Sequence, residues 1–247
     1  MDYITEDKWY ALCGYNYWPG IPIPESANIF CKTDFVVNCL RIMGRGPGPY
    51  TLVTRRSDHA ITDGAAALAP KSLKKWFSVN VDTDNPAVSA VPLGLAASQL
   101  PHGQSELLAE CYVAEKTCRL LAFYATNTHR ERGEILNKVR AECVDMTFGD
   151  FMEKPLSYRE SLEVVARAQF VLCPRGNGCD THRVWESLYL GSVPIVKRCM
   201  AMNHFADMGI LFVDDWAEVT DELLDGHVKS AMSPKLGMGY WRERLMA

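Results

Sequence analysis

One stretch of this 247-residue chain gathers residue types that hold phosphate and ribose: Pro174-Arg175-Gly176-Asn177-Gly178-Cys179-Asp180-Thr181-His182-Arg183-Val184-Trp185-Glu186. It follows Phe170-Val171-Leu172-Cys173, an apolar run of strand length, and leads into helical spacing that Asp180 or Thr181 is placed to cap. A strand, a glycine-containing loop and a helix start together aim backbone N–H groups and the positive end of a helix dipole at one point, which suits a phosphate. Arg175 and Arg183 bracket the turn and can add charge-assisted bonds to a diphosphate. At about 100° per residue, Arg183, Glu186, Ser187 and Leu190 share one helix face, and Val184, Trp185 and Leu188 share the other. Packing the apolar face on a sheet aims Arg183 and Glu186 at a cleft, where a carboxylate can accept hydrogen bonds from the two ribose hydroxyls. The same spacing also allows a surface i,i+3 ion pair. With the flanking glycine loop, the expectation is a nucleotide-phosphate site.

The elements that must position these groups are clearest in the second half. Leu120-Leu121-Ala122-Phe123-Tyr124 predicts a strand, and Ile135, Leu136 and Val139 mark an amphipathic helix over 129–142. Ser157 with Glu160 at capping-box distance predicts a helix to about Ala168. Strands follow at 170–173, 193–196 and 210–213, with helices over 181–190 and 217–224 between and after them. Pro194 lies in one of these strands, where its missing N–H must be tolerated. Strands alternating with crossover helices predict a parallel, doubly wound sheet. In the first half, strands are expected at 29–31, 50–54 and 76–79, with a helix from an Asp34 cap to about Met43, broken by Gly44-Arg45-Gly46-Pro47-Gly48-Pro49. A composition shift near Pro101 to Ser105 precedes a helix over about 106–118. The architecture expected is α/β, with two Rossmann-like units facing a cleft: residues 1–105, residues 106–230, and a C-terminal helix in 231–247 able to pack back on the first.

Composition narrows the class. The chain is 48% apolar and 23% charged, enough for a full core, which excludes intrinsic disorder and coiled coil. Residues 1–125 carry 11 basic and 12 acidic side chains and the remainder 15 and 18, so neither half has the cationic excess of a nucleic-acid backbone binder. No run of about 18 apolar residues predicts a membrane span. The first residues lack the basic and apolar regions of a signal peptide, and nine cysteines without a CxxC pair read as reduced thiols of a cytoplasmic protein. Cys173 and Cys179 match no usual zinc spacing, and no metal site is expected.

The run from Phe170 to Val196, with Pro174-Arg175-Gly176, Asp180-Thr181, Arg183, Trp185-Glu186-Ser187-Leu188 and Gly191-Ser192-Val193-Pro194-Ile195, resembles the signature of exostosin-type glycosyltransferases, family 47 and its small soluble relatives. Softer similarity spans roughly residues 50–225. Ser57-Asp58-His59, Lys75-Trp76-Phe77, Asn80-Val81-Asp82 and Val91-Pro92-Leu93-Gly94-Leu95 resemble the acceptor half. Thr126-Asn127-Thr128 with Arg130 and Arg132, and Val213-Asp214-Asp215-Trp216, resemble the donor half.

The resemblance implies a GT-B glycosyltransferase using a nucleotide-diphosphate sugar, UDP-sugar favoured over GDP-sugar, with no metal or other cofactor required. Arg175 and Arg183 would hold the diphosphate, with Arg132 reaching the same phosphates, and Glu186 would hold the ribose. Gly176, Asn177, Gly178, Asp180 and Thr181 would form the donor loop, with His182 against base or sugar. Asp82-Thr83-Asp84, the one Asp-x-Asp run, lies in the first half and reads as a turn. An inverting transfer needs a general base. Asp58, then His59, is expected in that role, because both follow the 50–54 strand at its carboxyl end; the alternative is that Ser57 and Asp58 only start a turn. The family's membrane anchor is lacking, Arg55-Arg56 is more basic than its pattern, and the acceptor is the least transferable feature. A glycan or glycoconjugate is expected. A hydroxylated base in DNA, disfavoured by the net charge of −4, and an inactive nucleotide-sugar-binding protein are the alternatives. The aromatic N-terminus (Trp9, Tyr10, Tyr15, Tyr17, Trp18) reads as core or sheet edge, or else as a stacking platform.

Overall fold

Apolar runs of the first half pair into a parallel sheet of five strands, β1 (Tyr15–Tyr17), β2 (Ala27–Lys32), β3 (Tyr50–Arg55), β4 (Leu73–Ser78) and β5 (Ser89–Ala90), in that spatial order. The computed structural model describes residues 1–142, 146–150 and 155–247, with the side chains at 136, 140–142 and 146–150 outside the description, among them Leu136 of the predicted amphipathic face. A parallel sheet is covered on both faces, so consecutive strand residues are apolar rather than alternating. Ile29, Leu52 and Trp76 pack on one face against helix α2 (Val36–Met43). Phe30, Val53 and Phe77 pack on the other against Trp9 of helix α1 (Glu6–Leu12) and Trp241 of the C-terminal helix, Met238–Met246. The Trp9 ring lies 6.0 Å from Phe77 and 6.2 Å from Trp241. Of the aromatic N-terminus, Trp9 and Tyr17 are core, while Tyr10 and Trp18 remain exposed.

The second half forms another five-stranded parallel sheet from β6 (Cys118–Tyr124), β7 (Met146–Asp150), β8 (Ala168–Leu172), β9 (Val193–Lys197) and β10 (Leu211–Val213). Helix α3 (Arg130–Glu142) joins β6 to β7, α4 (Tyr158–Ala166) joins β7 to β8, and α5 (His182–Tyr189) joins β8 to β9. The order β10-β9-β8-β6-β7 means that the winding reverses between β6 and β8. Ligands of doubly wound sheets bind at such a reversal, outside the carboxyl ends of the strands. The fold class is α/β with parallel sheets, as expected. Among the described residues no helix is long and apolar enough to cross a membrane.

Several local expectations are corrected. The helix expected over 106–118 is only Leu107–Cys111, because Thr117 and Cys118 already donate to Arg167 O beside β8 and Lys116 turns its ammonium onto Ala166 O and Leu190 O. Asp34 caps no helix: Thr33–Phe35 is a 3-10 turn, and the Asp34 carboxylate lies 3.3 Å from Lys32 Nζ. The helix over 217–224 is a 3-10 turn, Trp216–Glu218, followed by Asp221–Gly226. The polar face of α5 is more enclosed than an open cleft implies: Glu186 and Ser187 are buried, and half-buried Arg183 donates to Ser161 of α4.

Candidate functional site

The winding reversal carries a cavity of about 460 Å³, walled by the end of β6 (Tyr124, Ala125), Arg132 of α3, the start of α4 (Ser157, Tyr158, Ser161) and the start of α5 (Thr181, His182, Arg183, Glu186). Its size is that of a pocket for a small ligand, on the order of 300–1,000 Å³. Arg132 holds the reversal together: Nε donates to Arg175 O at 2.8 Å, Nη1 to Ala125 O at 2.9 Å and Nη2 to Pro174 O at 3.1 Å. These acceptors are neutral, and no ion pair of Arg132 occurs among the described residues. Burial pulls its pKa down, as expected for a cation taken from water.

Arg183 Nη1 lies 3.6 Å from Glu186 Oε2, and Nη2 donates to Ser161 Oγ at 2.9 Å. The i,i+3 pair is thus present, but it lines the cavity rather than the surface, with the Glu186 side chain 6% exposed. Arg183 Nη1 and the Tyr158 hydroxyl are buried against the Glu186 carboxylate, and Thr181 Oγ1 is buried without a hydrogen-bond partner; all three residues line this cavity. Buried polar atoms are normally satisfied, so the orphan Thr181 hydroxyl beside this polar cluster marks a place for a polar ligand. Burial, followed by the nearby Glu186 carboxylate, raises the Tyr158 pKa, so its hydroxyl is a donor at neutral pH. His182 Nδ1 lies 2.7 Å from Gly94 O. A carbonyl only accepts, so Nδ1 carries the proton and Nε2 is the basic nitrogen of the neutral ring. Burial lowers the His182 pKa and favours that neutral form.

The loop from Pro174 to Asp180 divides the predicted donor residues. Arg132, Thr181, His182, Arg183 and Glu186 come together on the large cavity. Arg175 does not join them. It donates to Gly176 O and Asn177 O of its own loop, at 3.3 and 2.7 Å, and lines a second cavity of about 240 Å³ with Cys179 and Cys199. Asn177 is exposed. Gly176 lies beside Arg132, a Cβ there standing 3.5 Å from Nη2. Gly178 presses against the first half: an added Cβ would lie 2.9 Å from Asn80 Nδ2 and 3.3 Å from Asp58 Oδ1, space that only glycine leaves.

Asp58 therefore faces the glycine loop from the carboxyl end of β3, exposed to solvent. His59 is also exposed and turns toward Asp34 Oδ1, 3.8 Å away. Asp180 is a brace rather than a lining residue. It is buried, with Oδ2 accepting from Leu93 N and Oδ1 from Trp185 Nε1, both at 2.7 Å, while its own N–H donates to Asn80 Oδ1 at 3.0 Å. Asn80 sits at φ +51°, a left-handed conformation that asparagine tolerates better than most residues. The segment Val91 to Leu95 is the seam between the halves: Leu93 meets Asp180, Gly94 meets His182, and the carbonyls of Pro92 and Leu93 accept from buried Arg55. Asn80 stands in the Asn80-Val81-Asp82 run that resembles the acceptor half and Arg55 in the Arg55-Arg56 pair that departs from its pattern, whereas Tyr158, Ser161 and His102, all on the cavity wall, were not legible as site residues from the sequence. The one signal near them was the Ser157 and Glu160 capping box, which fixes where Tyr158 begins α4.

No protein-family model matches the chain, and no curated protein matches it.

Proposed function

We propose that the protein is a glycosyltransferase of GT-B type that moves a sugar from a nucleoside-diphosphate sugar to an acceptor hydroxyl. The observation that carries this reading is the convergence, at the winding reversal, of a buried carboxylate, two fixed arginines, a tyrosine hydroxyl and an unsatisfied threonine hydroxyl on one cavity of about 460 Å³. Glu186 accepts the ribose hydroxyls, and Arg132 and Arg183 with the N-terminal N–H groups of α5 meet the diphosphate. UDP is the favoured nucleotide and GDP the rival. Arg175 contributes from the far side of the loop rather than from the cavity. The acceptor, a glycan or glycoconjugate, approaches from the first half. Asp58, across from Gly178, takes the acceptor O–H proton as the new bond to the anomeric carbon forms and the bond to the diphosphate oxygen breaks, inverting the centre. The charge that develops on the leaving diphosphate is met by the arginines and the helix dipole.

Calorimetric titration with UDP, GDP, ADP and TDP tests the donor site. One diphosphate is expected to bind, with about 10- to 100-fold weaker binding in Glu186→Ala and in Arg183→Ala, the range for losing a charged hydrogen bond. Absence of binding to all four, by a folded protein, overturns the donor-site assignment.

A further inference from the structure

The chemistry on the other side of the glycine loop is of a different kind. Cys179 and Cys199 line the cavity of about 240 Å³ together with His129, Arg175, Lys197 and Arg198. Topology brings them there: Cys179 closes the loop after β8, Cys199 stands two residues past the end of β9, and β8 and β9 are neighbours with Leu172 opposite Ile195. Both thiols are free and half-buried. Glu131 is the one carboxylate on this cavity wall, and it is engaged by Lys197 Nζ at 3.2 Å and Trp216 Nε1 at 2.9 Å. Arg198 is likewise paired, with Asp214 at 3.1 Å, so Arg175, held by the carbonyls of its own loop, is the cation of this wall that makes no ion pair among the described residues, and it favours thiolate.

The other cysteines behave differently. Cys31, Cys39 and Cys173 are fully buried. Burial pushes the Cys173 and Cys13 thiols up to about 12. At Cys179 the contact with the Cys199 thiol, and after it Arg175, lowers the pKa against burial and the Asp82 and Glu131 charges, while the same contact and burial raise Cys199.

We infer that Cys179 and Cys199 form a peroxide-reactive dithiol on the glycine loop, with Cys179 the attacking thiol and Cys199 the resolving one. The Cys179 thiolate attacks a peroxide oxygen: an S–O bond forms, the O–O bond breaks, and hydroxide leaves to take a proton as water. The Cys199 sulfur then attacks Cys179 Sγ, so that the S–S bond forms, the S–O bond breaks and a second water leaves. Two thiols are oxidised by two electrons and one hydrogen peroxide is reduced to two waters. The disulfide would tie the loop next to Gly178, which packs on Asn80 and Asp58, to the start of the Met200–Asn203 helix. The inference does not depend on the nucleotide-sugar reading, because its test reads thiol chemistry and not transfer.

The test is brief iodoacetamide labelling of the native protein at pH 7.5 with peptide mapping, followed by mapping after one equivalent of hydrogen peroxide. Cys179 is expected to label at least about tenfold faster than Cys13, given the difference in thiolate fraction. Peroxide is expected to yield a 179–199 cross-linked peptide that dithiothreitol reverses. In Cys199→Ser the oxidation is expected to stop at a Cys179 sulfenic acid that dimedone traps. Labelling of Cys179 no faster than Cys13, or oxidation that yields no 179–199 peptide, overturns the inference. Both readouts exist in the unmodified chain, so a variant that fails to fold does not leave the question open.

Discussion

Arg132 and Arg183 show two ways of holding a cation for use. Arg132 is locked by three carbonyls and makes no ion pair among the described residues, whereas Arg183 is held between Glu186 and Ser161. An incoming diphosphate would therefore find positive charge already oriented, with little side-chain entropy left to lose. Opposite them, Asp58 is an exposed carboxylate that faces the glycine loop, while His59 is turned to Asp34. Asp58→Asn keeps the shape and removes the proton acceptor. Transfer, measured as release of UDP in the presence of acceptor, is expected to fall by about 10²- to 10⁴-fold, the usual contribution of a general base. UDP affinity measured on the same preparation should stay within about twofold. Full turnover in Asp58→Asn removes Asp58 from the mechanism.

Among the elements, those written by local rules were legible in the sequence. The Ser157 and Glu160 capping box forms as its spacing predicts, with Ser157 N donating to Glu160 Oε2 at 2.8 Å and Glu160 N donating to Ser157 Oγ at 3.3 Å. Strands β2, β3, β6, β8 and β9 each hold a short mostly apolar stretch, and the pattern finds them because both of their faces are buried. What local pattern could not show was set by distant contacts. β1 and β5 are three and two residues long, and the helix after residue 106 stops where residues 117–118 join β8. The cap of α4 matters to the site as well as to the helix, because Tyr158 and Ser161 stand on the cavity wall in its first turns. Ser157→Ala is expected to cost about 1 kcal/mol of stability. For a chain of this size that lowers Tm by roughly 2–4 °C. A thermal melt followed by circular dichroism reads the shift, and an unchanged midpoint would mean that the box is ornamental here.

For the whole molecule, the decisive contact is one that joins residues 87 positions apart: Leu93 N to Asp180 Oδ2. The sequence marked Asp180 as part of a ligand loop, and nothing local distinguishes a carboxylate that lines a pocket from one that locks two sheets together. Its environment explains the role. Burial raises its pKa to about 7, although Leu93, Trp185 and Arg55 all favour the ionised form. Arg55 is itself buried, over the Trp9 ring, with burial lowering its pKa to about 10. The sign for stability follows from proton counting. Between the ordinary carboxylate pKa of about 4 and the folded value of about 7, the folded chain keeps a proton that the unfolded chain has released. Stability from this group therefore falls as pH rises through that window and is flat above it. Asp180→Asn cannot titrate, and one of the two N–H donors of Leu93 and Trp185 would then face an amide NH₂ instead of an acceptor. The variant is expected to be less stable at every pH, the deficit shrinking as pH rises from 5 to 8. Urea unfolding at pH 5, 6, 7 and 8 on both proteins separates the two effects: a constant offset is the lost hydrogen bond, and a change in slope is the proton. Parallel pH profiles would show that Asp180 is ionised throughout and that the two sheets are joined by a permanent charge.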